Sequence, residues 1–133
     1  MTQDPVLSIH VIHGELRGDS YRFTESPVTV GKGEDCDLRI DAPHISRRHG
    51  HFELTEDGNW DYVDDCSTNG SVHVVGSRRR ILHNRDQPTR VPLEAGDRLQ
   101  LAEWVAQVEF EFVAESGTSF ASPTTSQIVA RST

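Results

Sequence analysis

Ten short runs of β-branched, aromatic and aliphatic residues, each closed by a turn-forming cluster, constrain the fold of this chain most tightly. They fall at residues 7–12, 21–23, 28–30, 38–40, 50–54, 60–63, 71–75, 90–93, 98–101 and 105–113. Between them lie His13-Gly14, Arg17-Gly18-Asp19, residues 31–37, Glu56-Asp57-Gly58-Asn59, Ser67-Thr68-Asn69-Gly70 and Glu94-Ala95-Gly96-Asp97. Gly, Asn and Asp supply the backbone conformations that end a strand. No window combines helical apolar periodicity with caps. Strands this short and this closely spaced predict an all-β fold, a β-sandwich, rather than an alternating α/β one. Its expected core is Ile9, Val11, Phe23, Val28, Val30, Ile40, Phe52, Leu54, Trp60, Val63, Leu93, Leu99, Leu101, Val108 and Phe110.

The chain's 133 residues are enough for one domain with a single core. That domain is expected over residues 1–114. Residues 115–133, rich in Ser and Thr with little to pack, read as a disordered tail or linker. No apolar run approaches the roughly 18 residues of a membrane span. The N-terminal Met1-Thr2-Gln3-Asp4-Pro5 lacks both the basic segment and the apolar run of a secretory signal. Two cysteines, Cys36 and Cys66, are too few for a disulfide scaffold and fit a cytoplasmic location.

A formal charge of -8 argues against a general nucleic-acid binder. The charge is uneven. Arg47 and Arg48 stand in an acid-free stretch, and Arg78, Arg79, Arg80, Arg85 and Arg90 are opposed locally only by Asp86. Acids gather at Glu34, Asp35, Asp37 and Asp41, and again at Asp61, Asp64 and Asp65. The 78–80 run reads first as solvated surface. Basic islands on an acidic body suit one anionic group on a partner better than a polyanion.

Three polar clusters carry the chemistry: Gly31-Lys32-Gly33, Ile45-Ser46-Arg47-Arg48-His49 and Ser67-Thr68-Asn69-Gly70. Each sits in a turn between predicted strands, and antiparallel connectivity can bring all three to one edge of a sandwich. A phosphomonoester carries nearly two charges and three strong acceptor oxygens. Hydroxyls of Ser46 and Thr68 and the cations Lys32 and Arg47 answer that need, while Gly31, Gly33 and Gly70 permit tight turns. Asn69, both donor and acceptor, suits the backbone of an extended ligand. Singly, each cluster is no more than a turn; their order and spacing carry the reading.

With Leu93-Glu94-Ala95-Gly96-Asp97-Arg98-Leu99-Gln100-Leu101 added, the ordered set resembles the forkhead-associated (FHA) domain family over about residues 6–113. The resemblance implies a sandwich of about eleven mostly antiparallel strands that binds phosphothreonine peptides, with no catalytic activity and no cofactor. Its partners would be a phosphothreonine-containing protein and an upstream Ser/Thr kinase, with no nucleic acid and no membrane insertion. By position, Lys32, Ser46, Arg47 and Thr68 fall on phosphate contacts and Asn69 on the residue that bonds the peptide backbone. His44 falls where the third residue after phosphothreonine is read, and Gly31, His49 and Gly70 fall on structural support. Lys32 replaces a common arginine, Cys66 and Ala102 replace common glycines, and Ser71 replaces a threonine. A phosphorylated Thr118, Thr124 or Thr125 in the tail would be a ligand for its own pocket or a second copy's. Self-association through the tail is therefore one expectation, and a plain linker the other.

Three rival readings belong to other classes. A hydrolase would pair Ser46 with His49 and an aspartate, yet no nucleophile-elbow pattern occurs. A metal site would gather Cys36, His49, His51 and Cys66, whose spacing lacks the tight pairs of zinc sites. The same sandwich used for phosphate-independent protein contact is the third.

Overall fold

Several of the apolar runs alternate between buried and less buried side chains as strands do, while residues 60–64 are buried throughout. In the computed structural model, residues 5–111 are described and form eleven strands with no helix among them. In order these are β1 (Val6–His13), β2 (Ser20–Phe23), β3 (Val28–Gly31), β4 (Leu38–Arg39), β5 (Gly50–Leu54) and β6 (Trp60–Asp64). They continue with β7 (Ser71–Val75), β8 (Arg78–Leu82), β9 (Thr89–Pro92), β10 (Arg98–Leu101) and β11 (Trp104–Glu111). The expected tail, and residues 112 and 113 of the last apolar run, lie outside the described residues.

One sheet runs β2-β1-β11-β10-β7-β8 and the other β4-β3-β5-β6-β9, antiparallel throughout except for the parallel pair β3–β4. Burial of Leu7, Ile9, Leu99, Leu101, Trp104, Ala106 and Val108 from the first sheet against Val28, Val30, Phe52, Trp60, Tyr62 and Val91 from the second makes the core. Each such side chain removed from water contributes roughly 1.5–3 kcal/mol. Trp60 also donates its indole N–H to the Pro5 carbonyl at 2.9 Å, tying the chain's start to the core. Arg90 ties β9 to its neighbour β6 through Asp61 (2.9 Å) and reaches β5 beyond it through Glu53 (2.6 Å).

Two expectations need correction. Phe23, Leu54 and Phe110 pack against the core without being fully buried, because they stand at strand ends near the sandwich rim. The arginine run at 78–80 is solvated as expected, but it is also a strand. β8 pairs with β7 from Ser71↔Leu82 to Val75↔Arg78, and only Leu82 turns inward. Backbone bonding to β7 makes this strand, which needs no apolar alternation of its own.

Ala102 opens the two-residue connection between β10 and β11 at φ 57. Hairpins this tight favour glycine at such a position, since a Cβ in the left-handed region costs about 1–2 kcal/mol. Glycine returns part of that gain as unfolded-state entropy. Ala102→Gly is accordingly expected to raise stability by about 0.5–1 kcal/mol, read as a higher urea midpoint with unchanged slope. A lower midpoint would mean the methyl's packing outweighs the relieved strain.

Candidate functional site

Strand pairing alone brings the three polar turns together. Val30, next to last in β3, pairs with Gly50 at the start of β5, and Gly50 pairs with Asp64 at the end of β6. The segments that follow β3, precede β5 and follow β6 therefore emerge at one edge of the sandwich. Gly31 is required there: a Cβ would lie 2.2 Å from the Arg47 carbonyl oxygen. The close approach is used at once, for the Lys32 N–H donates to Ser46 O and the Gly33 N–H to Arg47 O, both at 2.9 Å.

The third turn is held to the second by side chains. Ser46 Oγ accepts the Thr68 N–H at 3.1 Å, which leaves the serine's own proton free to donate. Asn69 Nδ2 donates to the His44 carbonyl at 2.9 Å and keeps its carbonyl oxygen and second proton for a ligand. His44 itself is held at φ 70, a strained conformation for a side chain of its size. Lys32, Arg39 and Arg47 line one cleft of about 700 Å³ with Gly33, Glu34 and Asp35. Among the described residues no carboxylate lies within salt-bridge distance of these three cations. Arg48 turns away, to Asp65 at 3.6 Å.

Beneath the turns lies a buried polar network. Asp64 accepts the Ser67 N–H (2.9 Å), the Ser67 hydroxyl (2.7 Å) and the Ser71 hydroxyl (2.6 Å). Ser67 Oγ accepts from the Gly70 N–H at 2.9 Å, closing the turn on itself. With the Ser71 proton committed to Asp64, the Tyr62 hydroxyl is the donor in its 2.8 Å bond to Ser71 Oγ. Burial pushes the Tyr62 hydroxyl far above its ordinary range, which keeps that proton in place. Cys66, in the turn before Thr68, is held in the left-handed region at φ 60.

His49 ties second and third turns together from inside. Its Nδ1 accepts the Ser46 N–H at 3.1 Å, so the ring proton sits on Nε2 and is donated to the Gly70 carbonyl at 2.8 Å. Burial lowers the pKa of this fully buried ring below the ordinary 6.5, outweighing the Gly70 bond and the Asp64 charge, which act the other way. A second proton would set Nδ1–H against the Ser46 N–H. The unfolded chain takes up that proton near 6.5 and the folded one only at lower pH. Its contribution is thus intact above about pH 6.5 and is lost as pH falls through the lowered folded value. The urea midpoint should fall as pH drops below about 6.5, stability being lost at no more than about 1.4 kcal/mol per pH unit, and His49→Gln should flatten that part of the profile. An identical slope in the variant would assign the dependence to other groups.

The structure thus brings Lys32, Ser46, Arg47, Thr68, Asn69 and His44 to one edge over the support of Gly31, His49 and Gly70. It adds residues that sequence reasoning passed over. Arg39 joins Lys32 and Arg47 in the cleft and donates its Nε–H to the Lys32 carbonyl at 3.1 Å. His83, from the loop after β8, reaches the Thr68 carbonyl at 3.1 Å. An Asp three residues ahead of a Ser, placed to accept its backbone N–H, was a readable signal for the network; nothing marked His83.

The Ser46 and His49 side chains form no nucleophile–base pair, because both ring nitrogens bond backbone groups. Nor do Cys36, His49, His51 and Cys66 gather: no group of three His, Cys, Asp or Glu residues placed to hold a metal occurs among the described residues.

The polar loops of this sandwich thus converge on one edge. The family model described as "FHA domain" matches residues 28–102, and the chain belongs to the FHA domain family. Over 94 residues it is 27% identical to an oxoglutarate dehydrogenase inhibitor of Corynebacterium efficiens, a match covering 71% of this chain and 58% of that protein. The kinase-interacting FHA domain of the kinase associated protein phosphatase of Arabidopsis superposes with a TM-score of 0.72 at 24% identity, covering 86% of this chain and 100% of that one. Mycobacterium tuberculosis EmbR, solved in complex with a low affinity phosphopeptide, gives 0.63 at 21%, covering 84% of this chain and 26% of that one.

Proposed function

We propose that residues 1–114 form a non-catalytic module that binds phosphothreonine-containing segments of a partner protein, downstream of a Ser/Thr kinase in the cytoplasm. The observation that carries this reading is the bonding among the three turns. It leaves the Ser46 proton, the Lys32 and Arg47 charges and one face of Asn69 uncommitted at a single edge. Dianionic phosphate on an extended chain uses all of these: hydroxyl and cations for the phosphate, the amide for the chain. The kinase-interacting FHA domain of Arabidopsis and the complex of EmbR with a phosphopeptide, both similar in fold, support the same class of ligand. Two free, half-buried cysteines fit a reducing compartment.

Titration calorimetry with phosphothreonine peptides chosen from an oriented library, against their unphosphorylated forms, tests the reading. Binding should require the phosphate. A charge-assisted hydrogen bond contributes roughly 1.5–3 kcal/mol, so Ser46→Ala should weaken it by about tenfold or more. Equal affinity with and without phosphate would overturn the proposal in favour of a phosphate-independent contact.

A further inference from the structure

β8 ends the six-stranded sheet, so among the described residues its outer backbone groups have no strand to pair with. Arg78, Arg79 and Arg80 occupy successive positions on it, so cations point to both faces of the edge. Arg22, Arg48 and Arg90 all find carboxylates, whereas none lies within salt-bridge distance of these three among the described residues. Ile81 beside them is 73% exposed and Val75 across the turn 44%. Clefts of about 430 and 230 Å³ run along the inner side of the edge, sharing His73, Val75 and Arg80. Their floor is set by the buried 2.8 Å bond between His73 Nε2 and Asp97.

Arginines on an edge also discourage strand pairing between copies. That duty alone does not account for an isoleucine left largely in water beside them. The charge decides which occupant fits. A second copy adding β8 to β8 would set arginines against arginines, which is repulsive across a strand pair. The remainder of this chain beyond Glu111 carries one acid, Glu115, and one base, Arg131, and offers no complement.

We propose that β8 is a second binding surface, one that takes an extended acidic segment of a partner protein as an added strand and does so without phosphate. The ligand's backbone satisfies the open edge. Its Asp and Glu side chains meet Arg78, Arg79 and Arg80, and an apolar residue covers Ile81. Leu82, at the other end of the strand, pairs with Ser71 just past the phosphate-site turn, about 13 Å from Arg78 at the ordinary rise of a strand. The proposal stands apart from the phosphate reading, since the two surfaces share no side chain.

An unphosphorylated Glu/Val peptide of about eight residues, titrated into the isotope-labelled full chain, tests it by amide chemical shifts. Shifts should concentrate on β7 and β8 and spare the turns at 44–49 and 67–70. Higher salt should weaken the binding. The triple change Arg78→Ser, Arg79→Ser, Arg80→Ser should weaken it by about tenfold while leaving phosphothreonine-peptide affinity unchanged. Ile81→Asp, at one exposed position, should also weaken it and serves if the triple variant fails to fold. Absent shifts on β8, binding indifferent to both variants, or tighter binding of an oligonucleotide than of the peptide would each overturn the proposal.

Discussion

Asp64→Ala is expected to destabilise the domain by about 3–5 kcal/mol, the sum of several buried polar groups losing their acceptor at roughly 1–3 kcal/mol each. The residue is fully buried and accepts three hydrogen bonds, two from Ser67 and one from Ser71. Alanine would leave two hydroxyls and a backbone N–H without their acceptor, and each orphaned polar group costs roughly 1–3 kcal/mol. The damage would not stop there. Ser67 Oγ is also the acceptor that closes the turn at Gly70, whose carbonyl in turn holds His49. Losing Asp64 should therefore loosen the Thr68-Asn69 segment as well, and phosphopeptide affinity should fall along with stability. Asp64→Asn retains one acceptor oxygen and the side-chain volume, so its loss should be clearly smaller. Urea midpoints for the two variants measure the difference; a loss under about 1 kcal/mol in Asp64→Ala would mean the Ser67 turn is held by its backbone alone.

Period-two patterning was enough to read the sandwich from sequence. β5 over Gly50–Leu54, β7 over Ser71–Val75 and β10 over Arg98–Leu101 carry their own alternation, and the structure has them at the expected residues. β8 escaped because its residues are chosen for solvent: four of its five positions are exposed, and its order comes from β7. The convergence of the three turns was likewise readable, because β3, β5 and β6 are consecutive antiparallel neighbours. What joins them was not. The bond from the Thr68 N–H to Ser46 Oγ spans 22 positions, and that from His83 to the Thr68 carbonyl spans 15 through a hairpin. No local pattern encodes contacts made only when two sheets stack. Arg39 shows the same limit: it is the exposed residue of the short strand β4, and only the path of the 31–47 loops makes it a wall of the cleft.

If Lys32 supplies charge to a phosphate, Lys32→Ala should weaken phosphothreonine-peptide binding by about 10- to 100-fold, one charge-assisted contact of roughly 1.5–3 kcal/mol. The substitution isolates the charge cleanly. The loop is held by the Lys32 backbone N–H on Ser46 O and by Arg39 on the Lys32 carbonyl, neither of which involves the exposed ammonium. Stability should consequently change little, and the loss should appear in binding alone. Lys32→Arg should keep or tighten the affinity, because a planar guanidinium offers two parallel donors where the ammonium offers a point charge. Calorimetry on the two variants, repeated at low and high salt, separates the contributions: the alanine variant should show the weaker salt dependence, having one cation fewer near the phosphate. Unchanged affinity in Lys32→Ala would assign the charge to Arg39 and Arg47, the other two cations of the cleft, and make the lysine a bystander on its rim.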